Sequence, residues 1–187
     1  MKFLSYDTKE KKEFLTEIRA TDVSAIKAYI QTWVPDYLMR VLRDTDFYYQ
    51  LFEWDRILKL SYVVGFPWRC YGAYTNYRLD GLLCLGVEGE NLKIEYIATA
   101  PWNYTHEDAG KMRRIGSGLI CFTIKSSIDT KRQGRLLLNA LPDAEGFYDR
   151  IGMRPTGNMN DSGLKEYEMQ TDGASSFLKK FEKYLVV

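Results

Sequence analysis

Residues 113–118 read Arg-Arg-Ile-Gly-Ser-Gly, and they carry the first hint of chemistry in this chain. They follow an apolar run, Leu92 to Thr99, and a loop containing Pro101, and they precede an apolar helical pattern. A strand, a connection and a glycine-opened helix together make a place for an anion. The first turn of a helix leaves N–H groups unpaired and carries partial positive charge. Glycine at 116 and 118 lets a ligand approach the backbone with no Cβ in the way. Arg113 and Arg114 either add charge there or stand as solvated surface residues. The same glycines have a second use, tight packing of helix against strand. Several familiar chemistries are excluded. There is no G-x-x-x-x-G-K-[ST], and Gly116-Ser-Gly118 lacks the third glycine and early strand position of a dinucleotide fingerprint. A single histidine, His106, and no nearby G-x-S-x-G argue against a serine hydrolase.

The totals bound the partners. With 187 residues the chain fits one domain with a substantial core. A net charge of +1 gives no general attraction to nucleic acid or to an anionic membrane, and neither is expected as a partner. Cys70, Cys84 and Cys121 are widely spaced, with no C-x-x-C, so a Cys/His zinc site is not available and no metal is expected. They read as small buried side chains in a reducing compartment. No apolar run reaches the roughly 18–20 residues of a membrane span, and the expected location is cytoplasmic.

The elements that must position residues 113–118 follow from periodicity. Residues 1–60 read as a helical N-terminal portion. Leu15 and Ile18 suggest a first helix. Ile26, Tyr29, Ile30 and Trp33 form one stripe ended or kinked by Pro35, and Phe47, Leu51, Trp54 and Leu58 form another. Trp68–Tyr77, Leu82–Val87 and Leu92–Thr99 predict an antiparallel meander, with turns at Asp80-Gly81 and at residues 88–91. A helix from Ile115 closed at Gln133-Gly134, then a buried strand Arg135–Ala140 parallel to 92–99, make a βαβ unit. Pro142-Asp143 starts a short helix ending at Ile151-Gly152. Met153–Thr156 and Leu164–Met169 close as a hairpin, and Ala174, Phe177, Leu178, Phe181 and Leu185 stripe a C-terminal helix over 173–187. The expected fold is a single α/β domain, 1–187, with a mixed central sheet and a core region at 66–170.

Downstream of the glycines, Phe147-Tyr-Asp-Arg-Ile-Gly-Met153 leads into a strand. With Arg113-x-x-Gly116-x-Gly118, this resembles the GNAT superfamily of acyl-coenzyme-A N-acyltransferases. The first segment matches that family's acetyl-CoA motif. In the second, Ala144, Tyr148 and Gly152-Met153 match its Ala, Tyr and Gly-Phe positions, with Met for Phe. The resemblance covers residues 66–170 and less surely the helices before Ser61. It implies a GNAT-like fold with splayed strands, acetyl-CoA as cofactor, and transfer of an acetyl group to an amine of a small molecule or peptide. It leaves room for a homodimer.

Residue by residue, the resemblance implies that the amides of Arg114, Ile115, Gly116, Ser117 and Gly118 cradle the pyrophosphate of coenzyme A, with Arg113 beside them. It implies that Ile97, Ala98 and Thr99 meet the pantetheine arm by strand-like hydrogen bonds, with a backbone N–H near Ile97 polarising the thioester carbonyl. Tyr148 falls where relatives place the tyrosine that protonates the departing sulfur, and Glu95 where they often keep a carboxylate that serves as base. Other uses stay open: Tyr148 as a core aromatic, and Glu95 as a solvated strand residue with Tyr96 inward by alternation. Where relatives carry a pantetheine-contacting asparagine this chain has Leu141, and Asn139 is the nearest substitute. Trp33, Trp54, Asp44, Asp46 and Asp161 are candidate acceptor-lining residues, and His106 lies in the long 101–112 loop. Two other readings remain: a protein or aminoacyl-tRNA acetylating enzyme, and a non-catalytic acyl-CoA-binding regulatory module.

Overall fold

A computed structural model describes residues 1–41, 54–104 and 111–186. The N-terminal segment departs from expectation. Lys2–Asp7 (β1) and Lys12–Ala20 (β2) are an antiparallel hairpin, not a helix. The i, i+3 spacing of Leu15 and Ile18 misleads, because Leu15 is 46% exposed while Thr16 and Ile18 are buried. The operative period is two, over Phe14, Thr16 and Ile18. Asp7 Oδ1 closes the turn by accepting the Lys9 and Glu10 amides.

Helices follow. Asp22 caps Val23–Ala28 (α1), accepting from the Ala25 amide. The chain then passes through a π turn at Tyr29–Trp33 into Val34–Val41 (α2). Pro35 has no amide to give and its ring crowds the carbonyl one turn back. The wider π turn, with the Val34 amide reaching the Tyr29 carbonyl, absorbs that misfit without ending the helix. Trp54–Leu60 (α3) completes the group, and Phe47 and Leu51 lie outside the described residues. Buried Tyr29, Trp33, Tyr37, Trp54 and Leu58 pack on one face of the sheet against Leu79, Leu82 and Cys84.

The meander is Arg69–Thr75 (β3), Arg78–Glu88 (β4) and Asn91–Thr99 (β5). Its first turn is at Asn76-Tyr77, not at Asp80-Gly81. Both turn residues have positive φ, 48° and 65°, as a two-residue hairpin of this twist requires. Asp80 and Gly81 lie inside β4, which explains why this aspartate is buried.

Met112–Arg113 (β6) pairs with β1, and Ile115–Asp129 (α4) crosses to Leu136–Ala140 (β7), parallel to β5. Glu145–Arg150 (α5) leads through Gly152, φ 90°, to Arg154–Met159 (β8), and Lys165–Met169 (β9) closes the hairpin. Thr171–Phe181 (α6) follows, and Leu185–Val186 (β10) is a strand on β1, not the continuation of the helix. The sheet order is β10-β1-β2-β3-β4-β5-β7-β9-β8. Helices α4 and α6 cover the face opposite α1–α3, burying Phe3, Ile94, Leu119, Ile124, Leu138, Phe177 and Phe181. No helix among the described residues is long and apolar enough to cross a membrane.

One break in this sheet positions everything that follows. β5 and β7 pair only through Leu92–Ile94 and Leu136–Leu138. Beyond that, Ile97–Thr99 pair only with β4, and Asn139 and Ala140 only with β9. The two parallel strands part, leaving an opened edge on each.

Candidate active site

The break coincides with a bulge. Cys84 lies opposite Tyr96 and Leu85 opposite Ile94, so Glu95 has no partner on β4. An extra residue in one strand shifts the alternation of side chains by one place. Glu95 and Tyr96 therefore share a face. The Trp68 side chain stands beside the Glu95 carboxylate over Gly86, and the Trp68 and Tyr96 rings meet edge to face at 5.5 Å. Strict alternation would have made these two residues exclude one another; the bulge brings them together. Trp54 packs on the far side of Tyr96 at 6.2 Å. Burial raises the pKa of Glu95, opposed by the Lys93 ammonium and reinforced by Glu88. That environment favours the protonated carboxyl beyond its ordinary balance.

At the far end of the opened edge stands the start of α4. Gly118 donates to the Arg114 carbonyl, while helical geometry gives the Ile115, Gly116 and Ser117 amides no partner within the helix. The two glycines do different work. A Cβ on Gly116 would project between Thr99 and Phe147, no closer than 3.8 Å to either, at the mouth of the gap. A Cβ on Gly118 would lie within 2.6 Å of Phe3 Cε1, so the missing side chain of that glycine serves close packing of α4 on β1. Arg114 is likewise committed elsewhere. It caps α4 in the left-handed conformation, φ 75°, and its guanidinium reaches Glu13 at 2.6 Å and the Leu4 carbonyl at 3.3 Å, stacked 4.0 Å over Tyr184. Its side chain braces the β1–β2 hairpin. Arg113 is exposed on β6, opposite Tyr6.

Tyr148, on α5, is buried, with its ring 5.4 Å from Phe147 and 6.0 Å from Tyr167. It belongs to the core on the α4 side of the sheet, with Ile94 and Met153. Glu95 thus faces the α1–α3 side and Tyr148 the other, with the opened edge of β5 between them. Asn139 is half-buried at the end of β7. Its neighbours Leu138 and Ala140 belong to the α4-side core, so Asn139 shares the Glu95 face. Leu141 lies just past the strand and is half exposed.

Among the acceptor candidates, Trp33 is fully buried and donates its indole N–H to the Leu79 carbonyl at 2.9 Å, a core role. Trp54 is buried, with its ring against that of Tyr96. Asp161 is exposed in the β8–β9 turn, and Asp44, Asp46 and His106 lie outside the described residues. Three positioning residues escape a reading of the sequence. Trp68 holds Glu95. Gly86 clears space for it, since a Cβ there would lie 2.7 Å from Glu95 Oε1. Asp80 ties down the end of β5: its carboxylate accepts from Arg78 Nε at 2.8 Å and Trp102 Nε1 at 3.1 Å, and its carbonyl from the Ala100 amide at 2.9 Å. Burial raises the Asp80 pKa, opposed chiefly by Arg78.

No family model matches the chain, and no curated protein matches it in sequence. Solved structures do match in fold. The chain is similar to PaiA N-acetyltransferase from Thermoplasma acidophilum in complex with coenzyme A, with 16% identity and TM-score 0.52, over 83% of this chain and 98% of that one. A putative acetyltransferase of the GNAT family from Desulfovibrio desulfuricans aligns with TM-score 0.60 and 14% identity, over 83% and 99%. The ribosomal-protein-S18-alanine N-acetyltransferase of Escherichia coli aligns with TM-score 0.52 and 12% identity, over 82% and 92%. With its parted β5 and β7 and its glycine-opened α4, the chain has the fold of the GNAT N-acetyltransferases.

Proposed function

We propose that this protein is an N-acetyltransferase that moves an acetyl group directly from acetyl-CoA to a primary amine of a small molecule or peptide. The observation that carries this reading is the parting of β5 from β7 after Ile94, with Gly116 at the start of α4 beside Thr99 at the end of the freed strand. The residues present fit the cofactor. The pantetheine arm is peptide-like and suits the free edge at Ile97–Thr99, and the pyrophosphate suits the first turn of α4, where Gly116 presents no side chain. Acetyl-CoA supplies an acyl carbon with a good thiolate leaving group.

The chain's own residues do the rest. Glu95 takes a proton from the incoming ammonium, directly or through a water, while Trp68 and Tyr96 wall that approach and hold the carboxylate in place. An edge N–H near Ile97 stabilises charge developing on the carbonyl oxygen. Tyr148 returns a proton to the sulfur from the other side of the strand. Calorimetric titration with coenzyme A, followed by a free-thiol assay over a panel of amines, tests the reading. Binding near micromolar is expected, with turnover that falls in Tyr148→Phe. Absence of binding overturns it. Binding without turnover over the whole panel favours an acyl-CoA-binding regulatory module, the reading that Leu141 in place of asparagine supports.

A further inference from the structure

Behind the bulge lies a second feature that acyl transfer does not use. Cys70 on β3 and Cys84 on β4 are direct register partners, and their sulfurs lie 3.1 Å apart. Directly opposed residues on antiparallel strands have Cα atoms about 4.5–5.5 Å apart, inside the range a disulfide spans, so no backbone rearrangement separates the two thiols from a bond. Both are free and buried. Cys84 is in turn the register partner of Tyr96, immediately before the bulge that carries Glu95.

We propose that Cys70 and Cys84 form a redox modification site, a thiol pair that hydrogen peroxide converts into a cross-strand disulfide stapling β3 to β4 behind Glu95 and Tyr96. Cys70 is the attacking sulfur. The Cys84 thiol beside it holds the Cys70 thiol below its usual range, whereas Cys84 itself is pushed up. The Cys70 thiolate attacks one peroxide oxygen, the O–O bond breaks, and the departing hydroxide takes up the proton Cys70 released, giving water and a sulfenic acid. The Cys84 sulfur then attacks the Cys70 sulfur, the S–O bond breaks, and the hydroxyl leaves as a second water with the Cys84 proton. Two thiols are oxidised by two electrons and one peroxide is reduced. Cys121 is the internal control. It is buried alone on α4, with its thiol pushed up to about 11 by burial.

The experiment is treatment of the full chain with hydrogen peroxide, then intact mass, thiol counting after denaturation, and a trypsin digest. Arg78 lies between the two cysteines, so their peptides stay together only if bonded. The expected result is a loss of two hydrogens, a fall from three free thiols to one, a linked pair of peptides, and reversal by dithiothreitol. Cys84→Ser, with its fold checked by circular dichroism, should lose no hydrogens. Survival of all three thiols, added oxygen without linkage, a bond to Cys121, or hydrogen loss in Cys84→Ser would each overturn the proposal. Every readout is independent of acetyl transfer.

Discussion

The Glu95 carboxylate occupies the space that a side chain at Gly86 would fill, 2.7 Å from where that Cβ would stand. The missing side chain on β4 and the extra residue on β5 are two halves of one arrangement. Gly86→Ala should therefore push Glu95 off its present position. The added methyl would also press on the packed Trp68 ring, 3.1 Å away, so the stability cost should be about 1–3 kcal/mol. The rate of amine acetylation should fall about 10- to 100-fold, part of what a positioned base contributes, with coenzyme A affinity unchanged. Calorimetry beside steady-state kinetics separates the two effects.

Glu95 also sets a pH dependence. Its pKa is raised by burial, and a base works only when deprotonated, so kcat/KM should climb as pH rises through a value above the ordinary carboxylate range. Glu95→Gln should remove that ascending limb and lower the plateau. An unchanged limb in Glu95→Gln would assign the titration, and the base, to another group.

The two glycines of α4 should respond oppositely to alanine. Gly116→Ala has room in the fold and should raise helix stability by about 0.5–1 kcal/mol, while weakening coenzyme A binding by about tenfold as its methyl enters the gap. Gly118→Ala meets Phe3 and should cost about 1–3 kcal/mol of stability. Urea denaturation and calorimetry on both variants read the contrast.

Asp80 makes a prediction about stability and pH. Its folded-state pKa lies above the ordinary value, so the native state holds its proton more tightly than the unfolded chain does. That contribution is fully present below the unfolded value and is lost as pH rises through the folded one. Stability of the wild type relative to Asp80→Asn should accordingly increase as pH is lowered across that window. Asp80→Ala leaves the Trp102 and Arg78 donors without their acceptor and should cost about 1–3 kcal/mol at neutral pH. Denaturation midpoints across a pH series check both.

The core from Arg69 to Met169 was legible in its order of elements, though not in its first hairpin turn, because its signals are local. Apolar runs bounded by turn residues, a long helix opened by glycines and a parallel return strand each declare themselves within a few residues. The motif spacing of Gly116 and Tyr148 is local in the same sense. The N-terminal hairpin was not legible, because Leu15 and Ile18 match a helical stripe and only pairing with β3 and β10 selects the strand.

What the sequence determined by itself is the order of the elements from Arg69 to Met169 and the residue types at the motif positions. What only the tertiary structure decided is which of those residues face one another. Gly118 and Arg114 sit inside the motif yet turn to Phe3 and Glu13, contacts made across more than a hundred residues of chain. Glu95 and Tyr96, adjacent and by alternation opposed, meet on one face because β4 offers them a single partner. Sequence spacing reports direction along a strand or helix; a bulge, a parted strand pair and a cross-strand contact are properties of the neighbour, and they exist only once the sheet has formed.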